Sequence, residues 1–339
     1  MAAPLAFTCG DPAGVGPEII AAWLAAHPAE ARDVAVIGPA RWLAALPAAG
    51  AKIAVGLEEF VATPGQPTGE GALVAWAAME RSATGCAAGE FSGVVTGPVS
   101  KDRLARIGYG YPGQTEFFAA RWGGEPTMAF CGGKLRVVLL TWHIPLRDVP
   151  AQLTTENFTR AVQAAEVLCR AGSLAVSLSN RPNPAVPGCA AGFGDPALQE
   201  TGRGSATPPY NPRIGVCGLN PHAGEAGLLG FEERDIIDPI LSELRRTHPG
   251  LSRCEPGDTL FGRQLHGEFD VVIALYHDQG LAPLKVIDFD EAVNVTLGLP
   301  HVRTSPDHGT AYGIAGKGTA SPRSFANAVA VAYQLIRYR

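Results

Sequence analysis

The sequence has little of what would assign it at a glance. Its seven cysteines include no Cys-x-x-Cys pair, so nothing suggests a zinc ribbon or a dithiol redox site; Cys131 and Cys217 sit in or beside apolar runs, which predicts buried, reduced thiols. No apolar stretch approaches the roughly 18 residues of a membrane-spanning helix, and Met1–Cys9 lacks the basic start and long apolar core of a secretory signal. The expectation is a cytoplasmic protein with no membrane partner. An excess of positive charge is also missing: 27 basic residues face 32 acidic ones, for a net charge of −5. Nucleic acid and anionic membranes are therefore not expected partners, and an anionic ligand must be met locally. Missing too is a regular G-x-G-x-x-G fingerprint; the glycines of Gly10–Glu18 have another spacing, and no acidic residue closes a second strand.

What remains is a chain of 339 residues, 46% hydrophobic, long enough for a large core and for two domains. Short apolar runs alternate with helical patterns. Strands are predicted at Pro4–Thr8, Val34–Gly38, Ala51–Val55, Phe91–Thr96 and Ala292–Leu297, and helices at Ile19–Ala26, Gly71–Ser82, Thr155–Ala171, about Glu232–Arg246 and Pro322–Arg337. This is the pattern of an α/β fold. Residues 181–212 carry seven prolines and five glycines without periodicity, which predicts a long surface excursion.

Three further runs share one grammar. Val271–Leu275 leads into Tyr276-His277-Asp278, Arg136–Thr141 into Trp142-His143, and Arg213–Leu219 into Asn220-Pro221-His222. In parallel sheets ligands bind beyond the carboxyl ends of strands, and imidazole is the commonest side-chain metal ligand. Three histidines at strand ends point to a catalytic metal site; the alternative is three histidines that cap strands or bond backbone. Lys285 and Arg303 read as anion holders, since buried strands do not normally carry an unpaired cation. Thr115 begins a helix, either as its cap or as an anion-binding N-terminus. Asp258 starts another, as an N-cap or an acidic group near the site. Thr96–Lys101 places a hydroxyl and a lysine beyond a strand end. The glycines of Ser305–Pro322 permit close approach of backbone to a ligand, with His308 beside it.

Taken in order, GDPAGVGPE at 10–18, TGPVSK at 96–101, GQTEF at 113–117, TWHIPLRD at 141–148, GLNPHAGE at 218–225, DTLF at 258–261, YHDQGLAPLK at 276–285 and PDHGTAYGIAGKG at 306–318 resemble the 4-hydroxythreonine-4-phosphate dehydrogenase family over nearly the whole chain. The resemblance implies two α/β domains with a cleft between them, similar in fold to isocitrate and isopropylmalate dehydrogenases. The domains expected are 1–120 with 299–339, and 121–298. It implies a homodimer with an active site shared between subunits, NAD or NADP as hydride acceptor, and a divalent metal (zinc, magnesium or cobalt) on His143, His222 and His277, one of them from the partner. Substrate contacts fall on Gln114, Thr115, Lys285, Asn294 and Arg303, acid–base candidates on Asp258, Asp278 and Lys285, and the cofactor loop on His308, Gly309, Thr310 and Ala311. The substrate implied is a phosphorylated amino acid, 4-phosphohydroxy-L-threonine, oxidised and decarboxylated on the way to pyridoxal phosphate.

Two features depart from the family pattern. Gln114 stands where a histidine is usual, and the 181–212 excursion exceeds the usual short connection. The substitution keeps open a related dehydrogenase acting on another phosphorylated hydroxy acid or a dihydrodiol dicarboxylate. A metal hydrolase would have no use for the His308–Ala311 loop, and a phosphate acyltransferase none for three metal histidines.

Overall fold

The computed structural model describes residues 3–178 and 210–339, so most of the excursion expected at 181–212 lies outside the described residues. Among the described residues eleven strands form a single sheet: β1 (Leu5–Thr8), β2 (Val34–Gly38), β3 (Ala51–Ala54), β4 (Gly93–Thr96), β5 (Thr127–Cys131), β6 (Arg136–Leu139), β7 (Ile214–Cys217), β8 (Leu251–Glu255), β9 (Val271–Ala274), β10 (Val293–Leu297) and β11 (Val302–Pro306). Their order across the sheet is β3-β2-β1-β4-β11-β10-β5-β6-β9-β7-β8. The first five positions are mutually parallel, as are the last four. Between them the pairs β11/β10, β10/β5 and β5/β6 are antiparallel. Three reversals make the two parallel blocks run in opposite directions, so segments leaving their carboxyl ends approach the central strands from both sides.

Helices cover the sheet as the βαβ pattern demands. Gly16–Ala26 and Arg323–Tyr338 bury Ile19, Ile20, Trp23, Phe325, Val329 and Leu335 around Phe7, whose ring meets those of Trp23 and Phe325 edge-on, both at 5.1 Å. The strand interiors are buried on both faces, which explains their unbroken apolar character. Six described cysteines are free and five of them buried, as small hydrophobes.

Several elements differ from expectation. β5 follows a Gly-Gly-Glu-Pro turn and holds only four apolar residues, too few to stand out. β8 is the sheet edge, where half-exposed Ser252 and Cys254 leave no apolar alternation to read. Gly280–Leu284, where glycine and proline argue locally against a helix, is the middle of one, His277–Asp288, with Pro283 inside it. Gly280 lets this helix press on the sheet: a Cβ there would lie 2.8 Å from Val137 and 2.9 Å from Leu139. Lys285 therefore projects from a helix, not from a strand edge. Thr115 lies inside the helix Gln114–Trp122, whose N-cap is Gly113, and Asp258 lies in the first turn of Gly257–Leu265, capped by Pro256.

At the far edge, Asp270 is clamped by Arg213, which donates from its backbone N–H (2.7 Å), Nε (3.2 Å) and Nη2 (2.7 Å). Burial opposes ionisation of Asp270, but the Arg213 hydrogen bonds outweigh it and hold the carboxyl below its ordinary value. Because the folded-state pKa is depressed, this contribution is present above the unfolded value of about 3.9 and disappears as pH falls through the folded one. Asp270→Asn is expected to lower stability by about 1 kcal/mol at pH 7, discounted for the half-exposed Arg213, and by progressively less at pH 2 as the native carboxylate takes up its proton. Urea titrations at the two pH values check it.

Candidate active site

The face of the antiparallel strands is the floor of a cavity of about 260 Å³. Strand alternation decides which side chains reach it. On β11, Arg303 and Ser305 face the cavity, while Thr304 between them turns away to donate to the Ala328 carbonyl of the helix behind. On β10, Asn294 sits opposite Ser305 and Thr296 opposite Arg303. Met128 and Phe130 of β5 complete the floor. The walls come from chain leaving the parallel blocks: Pro98–Lys101 after β4, His143 after β6, His277 and Leu281 after β9, and Asp307–Gly309 after β11. Gln114, Thr115 and Glu116 add the first turn of a helix, where backbone N–H groups lack intrahelical partners.

Arg303 is the most unusual group in the molecule. Only 3% exposed, its guanidinium donates to Asn294 Oδ1 (2.9 Å), Thr296 Oγ1 (3.3 Å), Thr96 Oγ1 (3.0 Å) and Ser305 Oγ (2.9 Å). None of these partners is a carboxylate, and among the described residues Nε has no partner. Burial pushes its pKa down to about 10, with Tyr109 and Glu116 opposing the shift, so it stays charged at neutral pH. A buried cation with only neutral partners costs several kcal/mol of desolvation. An anion in the cavity would supply the missing countercharge.

The structure brings together Gln114, Thr115, Asn294, Arg303, His143, His277, His308 and Gly309 on one cavity. The His143 and His277 rings are 5.8 Å apart between centroids, a spacing that two imidazoles sharing one ion can adopt with metal–nitrogen distances of about 2.1 Å. Each has a carboxylate on its Nδ1 side: Asp278 at 2.8 Å from His277, and Glu116 at 3.9 Å from His143. That arrangement leaves Nε2 to face a ligand. Burial first, and then Lys101, hold the pKa of His143 below its ordinary value against the pull of Glu116, which favours the neutral, ligating form. His143 has φ of 52°, a left-handed conformation retained where the side chain must be aimed.

His222 is not part of this cavity. It opens a turn in which His222, Ala223, Gly224, Glu225 and Ala226 all have positive φ (51°, 52°, 75°, 44° and 57°), and its exposed ring faces Glu225 at 3.3 Å. Left-handed backbone costs a non-glycine residue about 1–2 kcal/mol. Among the described residues of one chain, no group of three His, Cys, Asp or Glu side chains could hold a metal ion. The strand-end grammar thus unites two histidines within the chain and leaves the third on a separate loop. Asp258 and Asp278 are exposed and do not line the cavity, nor does Lys285, whose Nζ lies 2.6 Å from Asp307 Oδ2 at its rim.

Thr310 and Ala311 lie beside the cavity, packed on the first turn of the chain. Val15 donates to the Thr310 carbonyl (2.9 Å), Tyr312 to Asp11 (2.6 Å), and the Gly316 N–H to Glu18 (2.8 Å). A Cβ on Gly14 would lie 2.8 Å from the Thr310 carbonyl. The two glycine-rich motifs, nearly 300 residues apart, form one surface. Sequence reasoning missed Asp307, Glu116 and Ser305 as site groups, whereas the Thr96–Lys101 segment it singled out supplies Lys101 to the cavity wall and Thr96 Oγ1 to Arg303. For Ser305 the signal was available: a hydroxyl two residues from Arg303, which shares its face once the segment is a strand.

Fold and cavity define an α/β enzyme built to receive an anionic small molecule beside a pair of imidazoles. A protein-family model described as pyridoxal phosphate biosynthetic protein PdxA matches residues 19–176 and 205–332. A 4-hydroxythreonine-4-phosphate dehydrogenase from Erythrobacter litoralis is 38% identical, with 97% of this chain and 95% of the relative covered; the enzyme of that name from Zymomonas mobilis is 37% identical, with 97% and 94% covered. The crystal structure of a 4-hydroxythreonine-4-phosphate dehydrogenase from Klebsiella pneumoniae superimposes with a TM-score of 0.74 at 30% identity, covering 98% of this chain and 99% of that one. The chain belongs to the 4-hydroxythreonine-4-phosphate dehydrogenase family and is an oxidoreductase of pyridoxal phosphate biosynthesis.

Proposed function

We propose that the protein oxidises the secondary hydroxyl of 4-phosphohydroxy-L-threonine, passing hydride to NAD or NADP. The product, 2-amino-3-oxo-4-phosphohydroxybutanoate, is a β-keto acid and loses carbon dioxide to give 3-amino-2-oxopropyl phosphate. The observation that carries this reading is the buried Arg303 without an anionic partner in the cavity that also holds His143 and His277. The charge and unpartnered Nε of Arg303, the Asn294 amide, the Gln114 side chain and the Thr115 helix turn would bind phosphate and carboxylate.

His143 and His277, with His222 from a second copy of the chain, would hold a divalent zinc, magnesium or cobalt ion, whose Lewis acidity would lower the pKa of the substrate hydroxyl. Asp307 lines the cavity, and burial pushes its carboxyl up while Lys285 opposes. We assign the Asp307–Lys285 pair to accepting the hydroxyl proton, since a base with a raised pKa is the better acceptor near neutrality. The surface between Asp11–Glu18 and His308–Gly316 would seat the dinucleotide, with backbone close enough to approach it. The two domains would meet at the antiparallel β10/β11 pair; the expected boundary at 120 falls within the helix Gln114–Trp122, so the seam belongs just after it.

The test is NADH formation at 340 nm by metal-reconstituted protein offered 4-phosphohydroxy-L-threonine, its unphosphorylated form and phosphorylated sugar acids. Turnover of the phosphothreonine compound alone is expected; preference for another hydroxy acid would move the substrate and keep the chemistry. Gln114 supports keeping that second reading in the test: its Oε1 is buried without a partner among the described residues, and its Nε2 reaches only the Gly97 carbonyl at 3.5 Å. Its amide is thus free to serve a ligand. Gln114→Ala is expected to raise KM for the phosphorylated substrate roughly tenfold with little change in kcat, the signature of one lost ground-state hydrogen bond to a charged group.

A further inference from the structure

The turn that carries His222 is built from backbone that non-glycine residues avoid, and something must hold it. Glu233, in the following helical segment, is 3% exposed and makes no ion pair among the described residues. Its Oε1 accepts the backbone N–H groups of Leu219 (2.8 Å) and Asn220 (2.7 Å), and its Oε2 accepts Asn220 Nδ2 (3.0 Å). The turn closes around this carboxylate: a Cβ on Gly224 would lie 2.7 Å from Oε2, and one on Gly218 would lie 2.8 Å from the Cα of Ala223. Asn220, just before the turn, is tied a second time to Glu232 Oε2 at 2.7 Å. Gln279 links this assembly to the helix bearing His277, donating to the Gly218 carbonyl (2.7 Å) while its Oε1 accepts the Leu275 N–H (2.7 Å).

We propose that Glu233 is a positioning residue for the metal site: its buried carboxylate pins the N–H groups that enter the left-handed turn and so fixes where His222 is presented. A buried carboxylate satisfied almost wholly by one loop has no evident use in core packing. It does what a carboxylate can do and an apolar residue cannot, gathering several donors onto one short turn. The inference rests on the reading of His222 as a metal ligand.

The experiment measures zinc affinity of the metal-stripped full-length protein by calorimetry, with the visible spectrum of the cobalt-loaded protein and NADH affinity alongside. Glu233→Ala is expected to weaken zinc binding about 10–100-fold, the usual scale for groups that orient metal ligands, and to shift the cobalt bands while NADH affinity holds. Glu233→Gln keeps one oxygen for the two backbone donors but sets its amide against Asn220, so a smaller loss is expected. Adding Ala223→Gly to Glu233→Ala should recover part of the affinity, because glycine adopts φ near 52° without the Cβ penalty. Unchanged zinc affinity in both Glu233 variants, with His222→Ala impaired, would overturn the positioning role and keep His222 as a ligand. Unchanged affinity in His222→Ala would overturn both. An equal fall in zinc and NADH affinity would reduce Glu233 to a general structural residue and also overturn the proposal.

Discussion

Replacing Arg303 with methionine is expected to lower kcat/KM for the phosphorylated substrate by about a thousandfold while the unliganded protein loses no more than about 1 kcal/mol of stability. The two halves of this result have one cause. In the free enzyme the guanidinium is buried among Asn294, Thr296, Thr96 and Ser305, none of which returns its charge. Its desolvation is a standing cost to the fold, and a side chain of similar length without charge removes that cost, offset by the hydrogen bonds it forfeits. With substrate bound, the same cation would face an anion at the buried floor of the cavity. Truncating one member of a buried, hydrogen-bonded charge pair costs roughly 2–5 kcal/mol, and each 1.4 kcal/mol is a factor of ten. Arg303→Lys should not rescue, because an ammonium cannot reach four acceptors spread over three strands and a ligand at once. Steady-state kinetics and thermal melting of the same preparations decide it: near-normal turnover by the methionine variant would remove Arg303 from the substrate site.

The second large effect is expected at the paired imidazoles. His277→Ala should reduce kcat/KM by about three orders of magnitude or more, since a Lewis acid at a developing alkoxide is worth several kcal/mol. It should also weaken zinc binding at constant pH. The pH dependence carries the sign. Protons compete with metal for imidazole, so affinity and kcat/KM fall as pH drops below the ordinary histidine value of about 6.5. Burial holds the pKa of His143 lower than that, so His143 contributes its acid limb at still lower pH. Undiminished zinc affinity at pH 5 would argue against imidazole ligation altogether.

How much of this was legible before the fold was known varies by element. Strands buried on both faces, such as Val34–Gly38 and Val271–Ala274, read directly, because unbroken β-branched runs have few other uses. The Pro322–Arg337 helix read directly too, through Phe325, Val329, Ala332 and Leu335, all of which are buried. β8 did not read, since an edge strand with one neighbour needs little apolar surface. The helix at His277–Asp288 was hidden by Gly280 and Pro283, residues that argue against a helix locally and are accepted here because close packing on β6 and β9 requires the first.

The site divides the same way. Residue types alone named Arg303 and the histidines after strands, because an unpaired charge or an imidazole at a strand end is costly unless used; Asn294 came only with the family resemblance. What the chain could not announce locally was which of these would meet. His143 and His277 converge because the strands they follow, β6 and β9, are adjacent and parallel, so both side chains leave the same end of one block; His222, written in the same local pattern after the next strand, leaves on a left-handed turn toward another surface. Asp307 and Glu116 became site residues because the fold sets them on the cavity wall, beside Lys285 and His143. The sequence by itself determined the composition of the elements and the chemistry carried at their ends, because burial and backbone preference act over a few residues. The tertiary structure decided the direction in which each end points, because strand order and register are set by packing across the whole sheet.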